Sequence, residues 1–442
     1  MKAVAFLERL YYKILISIYG GISFKELMDE ILITFGICES YIDVSSDVYK
    51  NKIDRQLLVE LKDYKKLFVV KSMNRYERNI TKSILDGVNT RLSKAEHKSY
   101  VEKTQLNIEQ YMEKLSIYWL SFAESLALLG GLFVLAGKIR QVATDKLIKK
   151  YEKKKKIQYY DVRRLYSIYL SLAEQDKAVD VLKRAGYAYR KSRSKICREM
   201  ELVARGGSLE EFSTLMIPDG DNDKLFYEMV YGKNIAIIAP SPGKFNVSEI
   251  LNEFDLVIRI NYIGTSLLNE NCNTCRVDIS YYSSECGKIL SKMSDLSFIK
   301  DLKIACFRNV VFDYEKNLIA EGKARARVGC VYKYMFQGFE NVVQLILMDL
   351  FHFSPARIKV FNANLYLTQQ NKIHEEGYIH KKFEATININ FLWHAYAAHN
   401  LISNYEITKY LYDIGYFEAD DELKSVLSLG TKEYLRRMEQ LT

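Results

Sequence analysis

From about residue 50 to residue 228, apolar side chains recur at three- and four-residue spacing, and strand-like alternation is scarce. That spacing predicts helix after helix. Leu165, Ile168, Tyr169, Leu172 and Ala173, then Ala178, Val181 and Leu182, read as a helix pair with a turn at Gln175–Asp176. No fixed period repeats along this half, so a helical hairpin is the expectation rather than a repeat array. Ser116 to Gly137 is apolar over about the ~20 residues that a bilayer span needs. It holds Glu124 and is broken by Gly130-Gly131, and helical periodicity continues on both sides. These features predict a buried helical hairpin instead of a membrane span.

The texture changes near Gly232. Pro218 to Asp223 is a polar, turn-rich break. The run Asn234 to Ala239 then suits a strand buried on both faces, as in a parallel sheet. Leu256 to Ile260, Lys303 to Phe307 and Ile358 to Phe361 are further strand candidates. Val247 to Glu253, Cys286 to Met293 and Phe339 to Phe351 are the helices between them. The alternation predicts an α/β, Rossmann-like domain over 229–442, preceded by an all-α helical-hairpin domain over 1–228.

Charge narrows the partners. The chain of 442 residues has a formal net charge of +9. Lys149, Lys150 and Lys153 to Lys156 form one basic run, and Arg190, Lys191, Arg193, Lys195 and Arg198 form another. Such runs are either solvated helix faces or contacts for an anionic membrane surface or a phosphate-bearing acceptor. Nothing beyond charge suggests nucleic acid, which is ranked last. Seven cysteines suggest no disulfide framework, which predicts a reducing cytoplasm. Cys272 and Cys275 form a lone CxxC, with Cys286 and Cys306 later; the pattern is too sparse to predict a metal, and none is expected. The N-terminal apolar stretch is interrupted by Glu8, Arg9 and Lys13. It reads as an interfacial helix rather than a signal peptide, which predicts a location peripheral to the inner membrane.

The chemistry is expected at strand ends. The first strand runs into Pro240-Ser241-Pro242-Gly243-Lys244, and a helix follows. Backbone N–H groups at such a turn suit a phosphate, with the Ser241 hydroxyl, Gly243 and Lys244 contributing. The turn is neither a dinucleotide fingerprint nor a Walker A loop.

The segment from Ile235 to Lys244, with Asp255, Val257, Arg259 and Asn261 in a "D-x-V-x-R-x-N" strand, resembles the donor-binding motif of CMP-sialic-acid-dependent sialyltransferases. The apolar helix Phe339 to Phe351 and the strand running on to Tyr366 resemble the later helix and strand of the bacterial enzymes. There the strand usually ends "G-x-D-F-Y"; Asn362 and Asn364 stand here in place of the Gly and Asp. Arg276 to Tyr282, and His399 to Leu411, are similar to bacterial polysaccharide transferases that use CMP-activated ulosonic acids, including retaining β-Kdo transferases. The resemblance covers about residues 233 to 435.

It implies a Rossmann-like, sialyltransferase-type domain and a glycosyltransferase of bacterial surface-glycan (lipopolysaccharide or capsule) synthesis. The donor would carry Kdo, or a sialic-acid-like sugar, on CMP. The acceptor would be a glycan, free or lipid-linked, and no cofactor is implied. Ser241, Gly243, Lys244, Arg259, Asn261, Asn362, Asn364 and His399 would hold the donor. Arg259 would pair with the sugar carboxylate, unless it forms a structural ion pair with Asp255 or Asp278. If the enzyme inverts, His380 is the candidate base. If it retains, Asp278 or Asp313 is the candidate nucleophile. A non-catalytic helical scaffold with a degenerate nucleotide-binding domain is the rival reading.

Overall fold

The computed structural model describes residues 74–93, 97–157, 159–185, 194–215, 220–241, 251–264, 276–308, 310, 312–327, 334–338, 340–368 and 399–441. The chain divides into two compact units. One comprises Met1–Leu147 with Ile389–Ala398, the other Ile148–Asn388 with His399–Thr442. Among the described residues every strand lies after 228, where the texture of the sequence changes, but the compact units divide earlier. Helices between Ile148 and Val230 belong to the unit that contains the sheet.

The first unit is helical throughout its described residues: α1 (Arg75–Ser93), α2 (His97–Tyr111), α3 (Ile117–Leu129) and the start of α4 (Phe133–Tyr151). Ser116 caps α3 by accepting from the Trp119 N–H, and the Trp119 indole donates to Thr81 of α1 at 3.0 Å. The apolar stretch at 116–137 is the expected hairpin, turning at Gly130-Gly131 with Gly131 in the left-handed region (φ 68°). Its lone charge, Glu124, is fully buried and takes a two-pronged bond from Arg140 at 2.7 and 2.8 Å. Pairing removes the penalty that a solitary buried carboxylate would carry. Among the described residues, no helix is long and apolar enough to cross a membrane.

The second unit opens with α5 (Tyr159–Ser171), α6 (Gln175–Lys183), α7 (Ser194–Arg205), α8 (Leu209–Thr214) and α9 (Asp221–Val230). The α5–α6 turn is at Leu172–Glu174, where Ala173 has φ 55°. Gln175 and Asp176, read as the turn, instead begin α6, where Asp176 favours the helix start through the dipole.

Among the described residues the strands are β1 (Asn234–Ile238), β2 (Leu256–Ile260), β3 (Ile279–Tyr282), β4 (Ile304–Phe307), β5 (Ala324–Ala326), β6 (Arg357–Phe361) and β7 (Glu418–Ala419). They form one seven-stranded sheet in the order β5-β4-β3-β2-β1-β6-β7. Every pairing is parallel. The chain steps outward from β1 to β5, then returns to lay β6 against the free side of β1. Right-handed crossovers turn that reversal into coverage of both faces. On one face α10 (Ser284–Leu290), α11 (Ser297–Lys300) and α12 (Asp313–Ala320) enclose Tyr282, Ala305 and Phe307 in a single buried cluster. On the other, α13 (Val342–Phe351) meets Tyr281 and Arg325 through Asp349, and Arg325 in turn reaches Cys306. The chain closes with α14 (Leu401–Asp413), α15 (Asp421–Leu427) and α16 (Gly430–Leu441). The protein is an α/β fold with a parallel sheet.

Candidate functional site at the carboxyl edge

In a parallel sheet, ligands bind beyond the carboxyl ends of the strands where the winding direction reverses, because adjacent loops part to opposite faces there. That point lies between β1 and β6. Ser241 follows β1, and Asn362 to Tyr366 follow β6. The two loops touch, with the Ser241 hydroxyl donating to Asn364 Oδ1 at 3.2 Å.

Asn364 is the hub. Its Oδ1 also accepts from the Tyr366 N–H, while its buried Nδ2 has no hydrogen-bond partner. Only 2% of the residue is exposed. A buried amide donor left unsatisfied costs about 1–3 kcal/mol, so it persists only where something compensates. The backbone nearby is costly too: Asn362 (φ 55°), Leu365 (φ 48°) and Tyr366 (φ 67°) are all left-handed. Asn tolerates that region, whereas Leu and Tyr do so at a cost of about 1–2 kcal/mol each. The Asn362 N–H donates to Asp420 at 2.7 Å, which ties the loop to the cap of α15.

From Asn364 the polar network continues sideways. The Tyr366 hydroxyl donates to Asn341 Oδ1 at 3.0 Å, and burial pushes this phenol up to about 12, so it remains a neutral donor. Asn341 is the N-cap of α13 and, with its oxygen taken by Tyr366, leaves the leading N–H groups without a side-chain cap. The Asn341 N–H donates to Asn404, whose amide donates to the carbonyl of His399. His399 thus stands one residue before Asn400, the left-handed N-cap of α14. Gly338 holds this corner close: it has φ 81°, and an added Cβ would overlap that of Asn400 and lie 3.0 Å from its backbone nitrogen. In consequence the N-termini of α13 and α14, both favourable to negative charge, are joined to each other by the Asn341–Asn404 bond and, through Tyr366, to the loop after β6, the start of α14 being buried and capped by Asn400.

The remaining sequence candidates separate. Arg259 is buried on β2, in register with Ser280 and Ile238. Neither carboxylate considered as its structural partner is used that way. Asp278 pairs with Arg276 at 2.8 Å and Lys303 at 2.9 Å and accepts from the Val257 N–H. Asp255 accepts from the Asn234 N–H. Asn261, at the end of β2 with φ 51°, uses its side-chain oxygen to hold the Ser283 N–H at 2.8 Å. It thereby shapes the start of α10.

Asp278 precedes β3 and therefore stands at the amino edge, the opposite side of the sheet from the crevice. It is engaged there by two cations and a backbone N–H, and so is not brought together with the residues of the crevice. Asp313 does follow its strand and opens α12, but it is exposed and paired with Lys316, which holds its carboxyl below the usual range. β4 lies three strands from β1, about 14 Å at usual spacing.

Gly243, Lys244, His374, His380 and His394 lie outside the described residues, as do Cys272, Cys275 and the N-terminal apolar stretch. Cys286 and Cys306 are buried, and burial pushes both thiols up, Cys306 to about 12. Among the described residues, no group of His, Cys, Asp and Glu is arranged to hold a metal.

Asn341, Asn404 and Tyr366 were not singled out from the sequence. Asn341 does carry a readable signal, an Asn immediately before an apolar helical run, and Tyr366 ends the segment quoted for the resemblance.

Comparison with protein-family models, with curated proteins and with solved structures returns no match. The reading of this site therefore rests on its geometry and on the motifs in the sequence. Hydroxyl, amide and phenol groups beside two helix N-termini suit an oxygen-rich anionic ligand, such as a ribose carrying phosphate.

Proposed function

We propose that the protein is a glycosyltransferase that uses a CMP-activated ulosonic acid, Kdo before a sialic-acid-like sugar, to extend a bacterial surface glycan. The observation that carries this reading is the Ser241–Asn364 contact across the switch point, beside the spare Nδ2 donor of Asn364. It joins the two segments that carry the sialyltransferase-like motifs. On this reading the sheet is of the sialyltransferase type, with the nucleotide lying across Ser241, Asn364 and Tyr366. His399 faces the donor phosphate from the start of α14. His380 is the base if the sugar is inverted. Asp313 is the remaining candidate nucleophile if it is retained.

Exposed Lys149, Lys150 and Lys153 to Lys156 support a peripheral association with anionic membranes. Each lysine near such a surface contributes about 1 kcal/mol. Association that is equal for neutral and anionic vesicles would exclude this electrostatic account.

Calorimetric titration of the full chain with CMP, UDP and GDP tests the central claim. CMP is expected to bind preferentially, at one site per chain. A preference for UDP or GDP redirects the donor assignment. Binding of none of them favours the non-catalytic scaffold and overturns the enzyme reading.

A further inference from the structure

Beyond the proposed nucleotide crevice, the same edge of the sheet carries a basic feature. Phe307 of β4 and Ala326 of β5 are register partners, and the Arg327 N–H continues the ladder to the Phe307 carbonyl at 3.0 Å. Arg308 and Arg327 are the residues that follow this last pair, one past the end of each strand, and the charge of Arg308 reaches the Arg327 guanidinium. Two like charges held this close repel each other. The arrangement calls for an explanation.

Arg325, two residues earlier on β5, shows what a structural arginine looks like in this fold. Its guanidinium lies between the rings of Phe226 and Phe353, at 4.4 and 4.7 Å. It bonds Asp223 at 2.8 Å and Asp349 at 2.6 Å, and it is 1% exposed. Arg327 has no such arrangement. Asp349 lies within electrostatic reach but is already bonded to Arg325 and to the Tyr281 hydroxyl; buried Glu340 also lies within reach. Among the described residues, neither the Arg308 nor the Arg327 guanidinium takes part in a hydrogen bond or ion pair. Arg308 is exposed and Arg327 half-buried. Burial, then the charge of Arg308, holds the Arg327 guanidinium below its usual pKa range.

We propose that Arg308 and Arg327 together bind a phosphate group carried by the acceptor. One guanidinium fork saturates the two oxygens of a carboxylate, whereas two adjacent forks match the several oxygens of a phosphate. The pair lies three to four strands from the switch point, about 14–19 Å, so it does not compete with a nucleotide held there. The acceptor half of this inference rests on the glycosyltransferase reading; the phosphate site does not.

The test is titration of the full chain, and of Arg308→Gln and Arg327→Gln variants, with inorganic phosphate, a hexose 1-phosphate and CMP. Each substitution is expected to weaken phosphate binding by about tenfold, the usual loss of a hydrogen bond to a charged group. CMP affinity should change less than about twofold. The hexose phosphate should bind more tightly than inorganic phosphate. Equal phosphate binding by the parent chain and both variants overturns the proposal, as does complete displacement of phosphate by CMP. Equal affinity for the two phosphates overturns the assignment to an acceptor. Loss of phosphate binding in the variants of a chain that binds no nucleotide supports the site while sinking the transferase reading. Should Arg327→Gln fail to fold, Arg308→Gln decides, since that side chain is exposed.

Discussion

At the amino edge of the sheet, charged groups are spent on the protein itself. Asp278 holds two cations and a backbone N–H, Asp255 holds the start of β1, and Arg276 donates to the carbonyls of Phe254 and Asp255. At the carboxyl edge the groups are mostly neutral amides and hydroxyls on left-handed backbone, and bonding capacity is left over: the Asn364 Nδ2, the leading N–H groups of α13 and the Arg308–Arg327 pair. The two edges thus differ in how far the fold spends the bonding capacity of their polar groups, and on the proposed reading the unspent capacity is what a ligand would use.

Three substitutions would break or sharpen that contrast. The largest effect is expected at Gly338, where alanine combines a left-handed φ with overlap against Asn400. Gly338→Ala should lower the unfolding free energy by about 3 kcal/mol, read from urea denaturation, and CMP affinity should fall with it. A fully stable variant would mean that the α13–α14 corner is not held by this contact.

Asp278→Ala comes next. Losing a buried carboxylate that takes a backbone N–H should cost about 2–3 kcal/mol of stability, with nucleotide affinity and any transfer activity of the folded fraction retained. A covalent sugar adduct mapped to Asp278 by intact and peptide mass spectrometry would refute the division between the edges.

The smallest stability change is expected for Asn364→Leu. Two hydrogen bonds are lost, but an unsatisfied donor is removed, so the net cost should be under about 1 kcal/mol. CMP binding should nevertheless weaken by about tenfold. A large stability loss with unaltered nucleotide affinity would make Asn364 a structural residue and reverse the contrast.

Much of the sheet could be read from apolar runs. β1, β2, β4 and β6 are short continuous stretches, and the structure places them within a residue of expectation. β3 and β5 gave no such signal, because Ser280 and Arg325 interrupt them and are buried through tertiary partners that periodicity cannot reveal. Ser241, Asn362 and Asn364 were legible as strand-end residues, and the fold brings them together. The edge on which Asp278 lies was not legible, for a physical reason. Flanking a strand fixes the edge only once strand direction is known, and in an all-parallel sheet a residue before a strand always lies opposite the ligand edge. Tyr366 and Asn341 depend on a side-chain bond between segments 25 residues apart, which local pattern does not encode.

The brevity of the outermost strands also affects how the protein behaves in solution. β5 has three residues and β7 only two. Central strands as apolar as these would otherwise offer a long row of unpaired N–H and C=O groups at each flank, a template on which a neighbouring chain could add a strand. Trimming both flanks leaves little for such growth, so the short outer strands work against edge-to-edge aggregation.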